Sequence, residues 1–295
     1  MSTFSFADSI PFDDVFVQSN TSRRPRVWWC PTGPLVFLPI HAAGIYSPEI
    51  THAGPCVSDY VISSYTPTIS ALITRVKLIE SRNQAPAQLL LISQPSTPNL
   101  TPIDATRTET RNLSNIMGSK GVKSLWLDDV AATTTRVAEV MNAYSWVHFA
   151  CHATQDTKDP LKSGVHLYDG PLELSAMIKQ RSSIADHAFM SACQTSTGNE
   201  ELPDEAVHIA AGMLAVGYRS VVATMWSISD AHGPAIAEEF YQYILSASSE
   251  EGGENRLDSS HAAHALDASI QKIRNQLGDT ERALLTWIPY VHFGI

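Results

Sequence analysis

Val147-His148-Phe149-Ala150-Cys151-His152-Ala153 and Phe189-Met190-Ser191-Ala192-Cys193-Gln194-Thr195 are the two stretches whose reading decides the fold. Each is a short apolar run that passes into a polar loop, the pattern of a strand buried on both faces. Each delivers a reactive side chain at its exit, His152 on the first and Cys193 on the second. In open α/β sheets, sites form outside the carboxyl ends of the strands. The 41 residues that separate His152 from Cys193 leave room for one helical crossover plus a small hairpin.

Outward from this pair the chain alternates. Residues 88–93 (QLLLIS), 124–127, 145–150, 187–192 and 220–225 read as strands. Residues 107–117, 130–142, 172–180, 205–216, 231–245 and 261–277 read as helices. Val130, Val137, Val140 and Met141 are expected core positions of the second of these. Such alternation predicts a mainly parallel sheet covered on both faces, a three-layer α/β/α sandwich.

Nearer the N-terminus, two apolar runs flank the Pro/Gly turn of residues 31–34, which predicts a hairpin over 26–39. Residues 60–65 read as a strand. A helix follows, with Thr66 as cap, Pro67 in the first turn and Ile69, Leu72, Ile73 and Val76 at helical spacing. Residues 246–260 read as a polar surface loop and 287–295 as an added edge strand. The division expected is an N-terminal extension over 1–25 and one domain over 26–295.

Composition limits the partners. With 295 residues, 44% hydrophobic and 17% charged, the chain is ordinary globular material with enough length for a full core. Twenty Lys+Arg against 30 Asp+Glu give a net charge of −10, which repels nucleic acid and anionic membrane. Arg23, Arg24 and Arg26 form the one tight basic cluster, too small for a nucleic-acid groove. The four cysteines form no C-x-x-C pair and are too few for a disulfide scaffold, so free thiols in a reducing compartment are expected. The N-terminus lacks the pattern of a secretory signal, and no run reaches the roughly 18 apolar residues of a membrane span. The expectation is a cytoplasmic protein without nucleic-acid or membrane partners.

A thiol near an imidazole is the minimum for nucleophilic catalysis. The thiolate is the reactive form, and a neighbouring base raises its fraction. The N–H groups of Cys193 and Ala153 are the candidate donors to an oxyanion.

HFACHA followed by MSACQT resembles the His- and Cys-bearing strand ends of clan CD cysteine peptidases. Within these, the chain is similar to the CHAT family, caspase-like domains related to separase. Four further stretches carry the likeness in order: residues 37–43 (FLPIHAA), 64–68 (SYTPT), 223–230 (ATMWSISD) and 287–294 (WIPYVHFG). The resemblance implies a caspase-like sandwich, with His152 as general base or proton shuttle and Cys193 as nucleophile, and no metal or organic cofactor. It implies a protein or peptide substrate and control by a helical-repeat or NTPase sensor module. Substrate-binding candidates are Asp230, which would read a basic P1 residue through a charge-assisted pair, with Ser191 and Trp226. The family has Gly after the catalytic His where this chain has Ala153, whose methyl group could crowd the oxyanion hole.

Bland readings compete at several positions. Cys193 can be a small core residue. Asp230 can cap a helix, and Trp226 can anchor the end of a strand. Cys151 alternates to the other face and is expected in the core. His148 and His152 lie on a strand, so their four-residue spacing makes no zinc pair. His261 and His264 read as a solvated helix face, and Asp156 and Asp159 as a loop. The rival function is a catalytically silent caspase-like interaction domain.

Overall fold

The structure, a computed structural model, describes residues 24–46, 55–79, 87–156, 158–180, 183–194, 205–226, 232–250, 255–278 and 280–295. Among them are strands β1 (Arg26–Trp29), β2 (Ile62–Tyr65), β3 (Leu89–Ser93), β4 (Ser124–Asp128) and β5 (Trp146–Thr154). These are followed by β6 (Gly164–Leu167), β7 (Gly170–Glu173), β8 (His187–Gln194), β9 (Ser220–Thr224) and β10 (Tyr290–Gly294). The helices are α1 (Val57–Tyr60), α2 (Ile69–Ile79), α3 (Ala105–Ser119), α4 (Thr134–Met141) and α5 (Leu174–Lys179). The remaining helices are α6 (Glu205–Val216), α7 (Gly233–Glu250), α8 (Ala262–Leu277) and α9 (Glu281–Trp287).

The strands form one sheet in the order β1-β2-β10-β9-β8-β5-β3-β4. From β9 to β4 every pairing is parallel. β10 runs antiparallel to β9, and β2 and β1 follow the direction of β10. The β6–β7 hairpin attaches to the end of β5.

Alternation along each strand builds two cores. Leu90, Val147, Phe149, Met190 and Val221 pack beneath α4, α5 and α6. Leu89, Leu91, Trp146, Phe189 and Val222 pack beneath α3, α7 and α8. Both faces of the central strands are therefore covered, which is why β3 reads LLLIS with every residue buried. This is the expected three-layer α/β/α sandwich with a mainly parallel sheet.

Five local expectations fail. Residues 26–39 form no hairpin: β1 pairs in parallel with β2, and the Pro-rich run after it coils as short 3-10 turns over Gly33–Phe37 and Ile40–Ala42. Prolines at 31, 34 and 39 cannot donate to a ladder, so a returning strand was not available there. The last strand is interior, between β2 and β9. The segment 172–180 begins as strand β7 and becomes helix only at Leu174. Val130 is 63% exposed and lies ahead of α4, whose cap Thr133 accepts from the Arg136 N–H, while Val137 and Met141 are buried as expected. At α2 the cap is Thr68, which accepts from Ala71 N, and Thr66 donates to the Thr68 carbonyl. The apolar residues Ile69, Ile73 and Val76 of α2 are exposed.

A row of polar side chains crosses four strands, with His187 and Ser220 at the opening residues of β8 and β9. Ser220 Oγ bonds His187 Nδ1 at 2.8 Å and His292 Nε2 at 2.9 Å, and His292 Nδ1 bonds Ser64 Oγ at 3.0 Å. Burial holds His187 down to about 3 and His292 well below the usual imidazole range. No helix among the described residues is long and apolar enough to cross a membrane.

Candidate active site

β5 is longer than its neighbour β3. Its last rung with β3 is Ala150 opposite Ser93, and it then continues to Thr154. Over that final stretch it pairs with β8 on one side and with the β6–β7 hairpin on the other. Gly164 makes the hairpin possible. A Cβ there would lie 2.3 Å from the Leu172 carbonyl oxygen, so no side chain fits.

His152 sits in this overrunning end, and it is 2% exposed. Its Nε2 lies 2.7 Å from the Thr101 carbonyl oxygen. A carbonyl only accepts, so Nε2 carries the proton and Nδ1 carries the lone pair. Nδ1 is buried and has no hydrogen-bond partner among the described residues. A buried acceptor left unpaired costs about 1–3 kcal/mol, a cost typical of sites that keep a lone pair for chemistry.

The Thr101 carbonyl is held by the β3–α3 connection. Gln94, fully buried, donates from Nε2 to Ser96 O at 3.1 Å and to Asp129 Oδ1 at 3.0 Å. Leu100 N bonds Thr97 O and Ile103 N bonds Pro95 O, which closes the loop on itself. Prolines 95, 98 and 102 restrict it further.

Cys193 is the β8 residue in register with His152. Paired residues of neighbouring strands belong to the same face, with backbones about 4.8 Å apart. Ala153 belongs to the opposite face. It is buried in the core beneath α4–α6, so its methyl group points away from the face that carries His152. Its backbone is ordinary: Asn99 and Asp129 are the non-glycine residues with positive φ among those described. Cys151 packs in that same core.

Ser191 is buried, and its hydroxyl is donated to Glu109 Oε2 at 3.1 Å. Trp226, just past β9, is half-buried and packs on the core beneath α4–α6. Asp230 lies outside the described residues.

Three contributors carried no signal in the sequence reading. Thr101 acts through its main chain. Glu109 is a charged residue in the buried stripe of α3 that includes Thr106, Thr110, Leu113 and Met117; a carboxylate in that stripe is a legible anomaly. His166, on β6, bonds Thr154 Oγ1 through Nε2. Burial, and after it the neighbouring His152, holds its imidazole below the usual range.

The resemblance stretches meet as well. His41 of FLPIHAA bonds the Tyr65 hydroxyl of SYTPT at 2.8 Å and the Ile288 carbonyl at 2.9 Å. The adjoining Pro289 carbonyl accepts from Met225 N at 2.7 Å, next to Trp226.

The CHAT domain family model matches residues 11–294. The chain belongs to the CHAT family. No curated protein sequence matches it significantly. Among solved structures, it resembles the Arg-specific cysteine proteinase gingipain R of Porphyromonas gingivalis. There the TM-score is 0.53 at 15% identity, over 85% of this chain and 57% of that one. It also resembles Saccharomyces cerevisiae separase, solved in a separase–securin complex. That match has a TM-score of 0.51 at 14% identity, over 81% of this chain. The chain spans only 14% of the separase chain. At these identities the likeness establishes the fold, that of caspase-like clan CD peptidases.

Proposed function

We propose that this CHAT domain is a cysteine endopeptidase acting on protein substrates through Cys193 and His152. The Cys193 thiol gives its proton to His152 Nδ1, and the thiolate forms a bond to the substrate carbonyl carbon. The oxyanion is expected to take hydrogen bonds from main-chain N–H groups at the strand exits. The candidates, the N–H groups of Cys193 and Ala153, face into the β5–β8 ladder here, so substrate binding has to draw them out of it. The C–N bond then breaks as His152 returns the proton to the leaving amine. Water cleaves the resulting thioester, and the acid and the free thiol are regenerated.

One observation carries this reading: a buried imidazole with its Nδ1 lone pair unused, on the strand beside Cys193 and in register with it. The orientation of the methyl group of Ala153 removes one objection to activity. Asp230 is proposed to select a P1 Arg or Lys. Control by a second protein, and a cytoplasmic location, belong to the same proposal. Control by a second protein is in keeping with a separase solved beside securin.

Peptides with P1 Arg, Lys, Asp or Leu, offered to wild type, Cys193→Ala and His152→Ala, test the proposal. Cleavage after the basic residues that disappears in both variants is expected. Cleavage that survives Cys193→Ala overturns it.

A further inference from the structure

Glu109 is 2% exposed near the middle of α3. A carboxylate in that position costs several kcal/mol unless its oxygens are paired. They are paired with the two strands that carry the proposed dyad. Oε1 lies 2.8 Å from His148 Nε2 on β5, and Oε2 accepts from Ser191 Oγ on β8 at 3.1 Å. His148 stands four residues before His152, and Ser191 two residues before Cys193, each on the same face as the later residue. A third element closes on the same group. A Cβ built on Gly233, the first residue of α7, would lie 3.1 Å from Glu109 Oε2. The far side of His148 is fixed by the Tyr241 hydroxyl, 3.3 Å from Nδ1.

Apolar side chains in place of the whole Glu109–His148–Ser191 group would stabilise this core about as well, because replacing a buried ionic group by packed hydrocarbon is often neutral or favourable. What an apolar residue cannot do is fix the offset between two strands through directional bonds. We propose that Glu109 is a positioning residue that sets the His152–Cys193 geometry by tying β5 and β8 to one carboxylate, against which the start of α7 packs. This rests on the reading of His152 and Cys193 as a dyad. Both protein partners donate to Glu109; an amide would keep its oxygen for His148 and could donate to the Ser191 hydroxyl, so Glu109→Gln weakens the link rather than removing it.

The test is the rate at which a small alkylating reagent modifies Cys193 in folded protein, followed across pH and mapped by mass spectrometry. Ser191→Thr and Ser191→Val have the same shape and differ in the hydroxyl. Ser191→Ala serves if the larger side chains prevent folding. Gly233→Ala adds a methyl group against Oε2 at a helix start where Ala is favoured over Gly. The His152-dependent part of the reactivity is expected to be at least tenfold higher in Ser191→Thr than in its isostere Ser191→Val. It is expected to fall at least tenfold below wild type in Ser191→Val and Ser191→Ala, and several-fold in Gly233→Ala without a lower melting temperature. His152-dependent reactivity within twofold of wild type in Ser191→Val and Ser191→Ala overturns the positioning role. Wild-type reactivity that ignores His152→Ala overturns the dyad reading instead, and the positioning role falls with it.

Discussion

His148 and His152 lie four residues apart on one face of β5, and both are buried. They differ in what meets the second ring nitrogen. In the middle of the strand, His148 is paired at both nitrogens, by Glu109 and by Tyr241. At the end of the strand, His152 is paired at Nε2 alone among the described residues. The first is a closed structural connection; the second is an oriented imidazole with a lone pair to spare. An open nitrogen is not sufficient, since His187 Nε2 also lacks a partner. That ring is packed between Trp146, at 4.4 Å, and Phe240, at 5.3 Å, at the opposite end of β8 from Cys193. What distinguishes His152 is the combination of a fixed tautomer, a free Nδ1 and a cysteine in register.

The largest expected effect breaks the pair of histidines apart. His152→Ala is expected to lower peptide cleavage about 10²–10⁴-fold while the melting temperature moves by only a few degrees. His148→Ala leaves Glu109 buried and short of a partner, so its main cost is expected in stability, about 3–5 kcal/mol. Chemical denaturation and activity assays on both variants separate the two roles. Equal losses of activity and stability in both would erase the distinction.

The fully enclosed imidazoles set the next effect. Burial lowers His41 to about 4 and His187 to about 3, and holds His292 well below its usual value. Unfolded, they titrate near 6.5. Below that pH the unfolded chain binds more protons, so stability falls as pH falls toward the folded values. Asp267 opposes this, because burial raises it to about 6 despite the Arg24 guanidinium. One carboxyl against three imidazoles leaves acid destabilising. Thermal melts are expected to be level above pH 7 and to drop by several kcal/mol equivalent between pH 6.5 and 4. A profile level down to pH 4 would contradict the burial of these rings as neutral groups.

The smallest effect sharpens the contrast between two cysteines. Cys151→Ala is expected to cost about 1 kcal/mol of stability, since its side chain is fully buried in the core beneath α4–α6, and to leave cleavage unchanged. Loss of cleavage in this variant would mean that the wrong thiol had been assigned.

The sandwich was legible because burial on both faces leaves continuous apolar strands such as 88–93, and because the elements between them alternate. The 41-residue gap foretold the hairpin and short helix that do separate the two site strands. Pairing choices were less legible. A Pro-rich turn between apolar runs looks alike whether the second run returns beside the first or, as here, coils over the sheet. The terminal strand reads as an edge because its neighbours, β2 and β9, are far away in sequence. At the site, the strand ends that carry His152 and Cys193 could be read as neighbours, but their register and the agent that fixes the imidazole could not. That agent is the carbonyl of Thr101, and a main-chain oxygen has no sequence signature. Ser191 was legible as a position near Cys193 and not as a donor to Glu109, whose two partners lie on separate strands far from it in sequence.

The most direct test of the central claim is labelling with an electrophilic peptidyl probe carrying P1 Arg, mapped by mass spectrometry. Wild type, His152→Ala and Cys193→Ala would be compared, with denatured protein as control. The account predicts label on Cys193 that requires the fold and weakens without His152. Label falling instead on Cys30, Cys56 or Cys151, or label on Cys193 indifferent to His152, would contradict it.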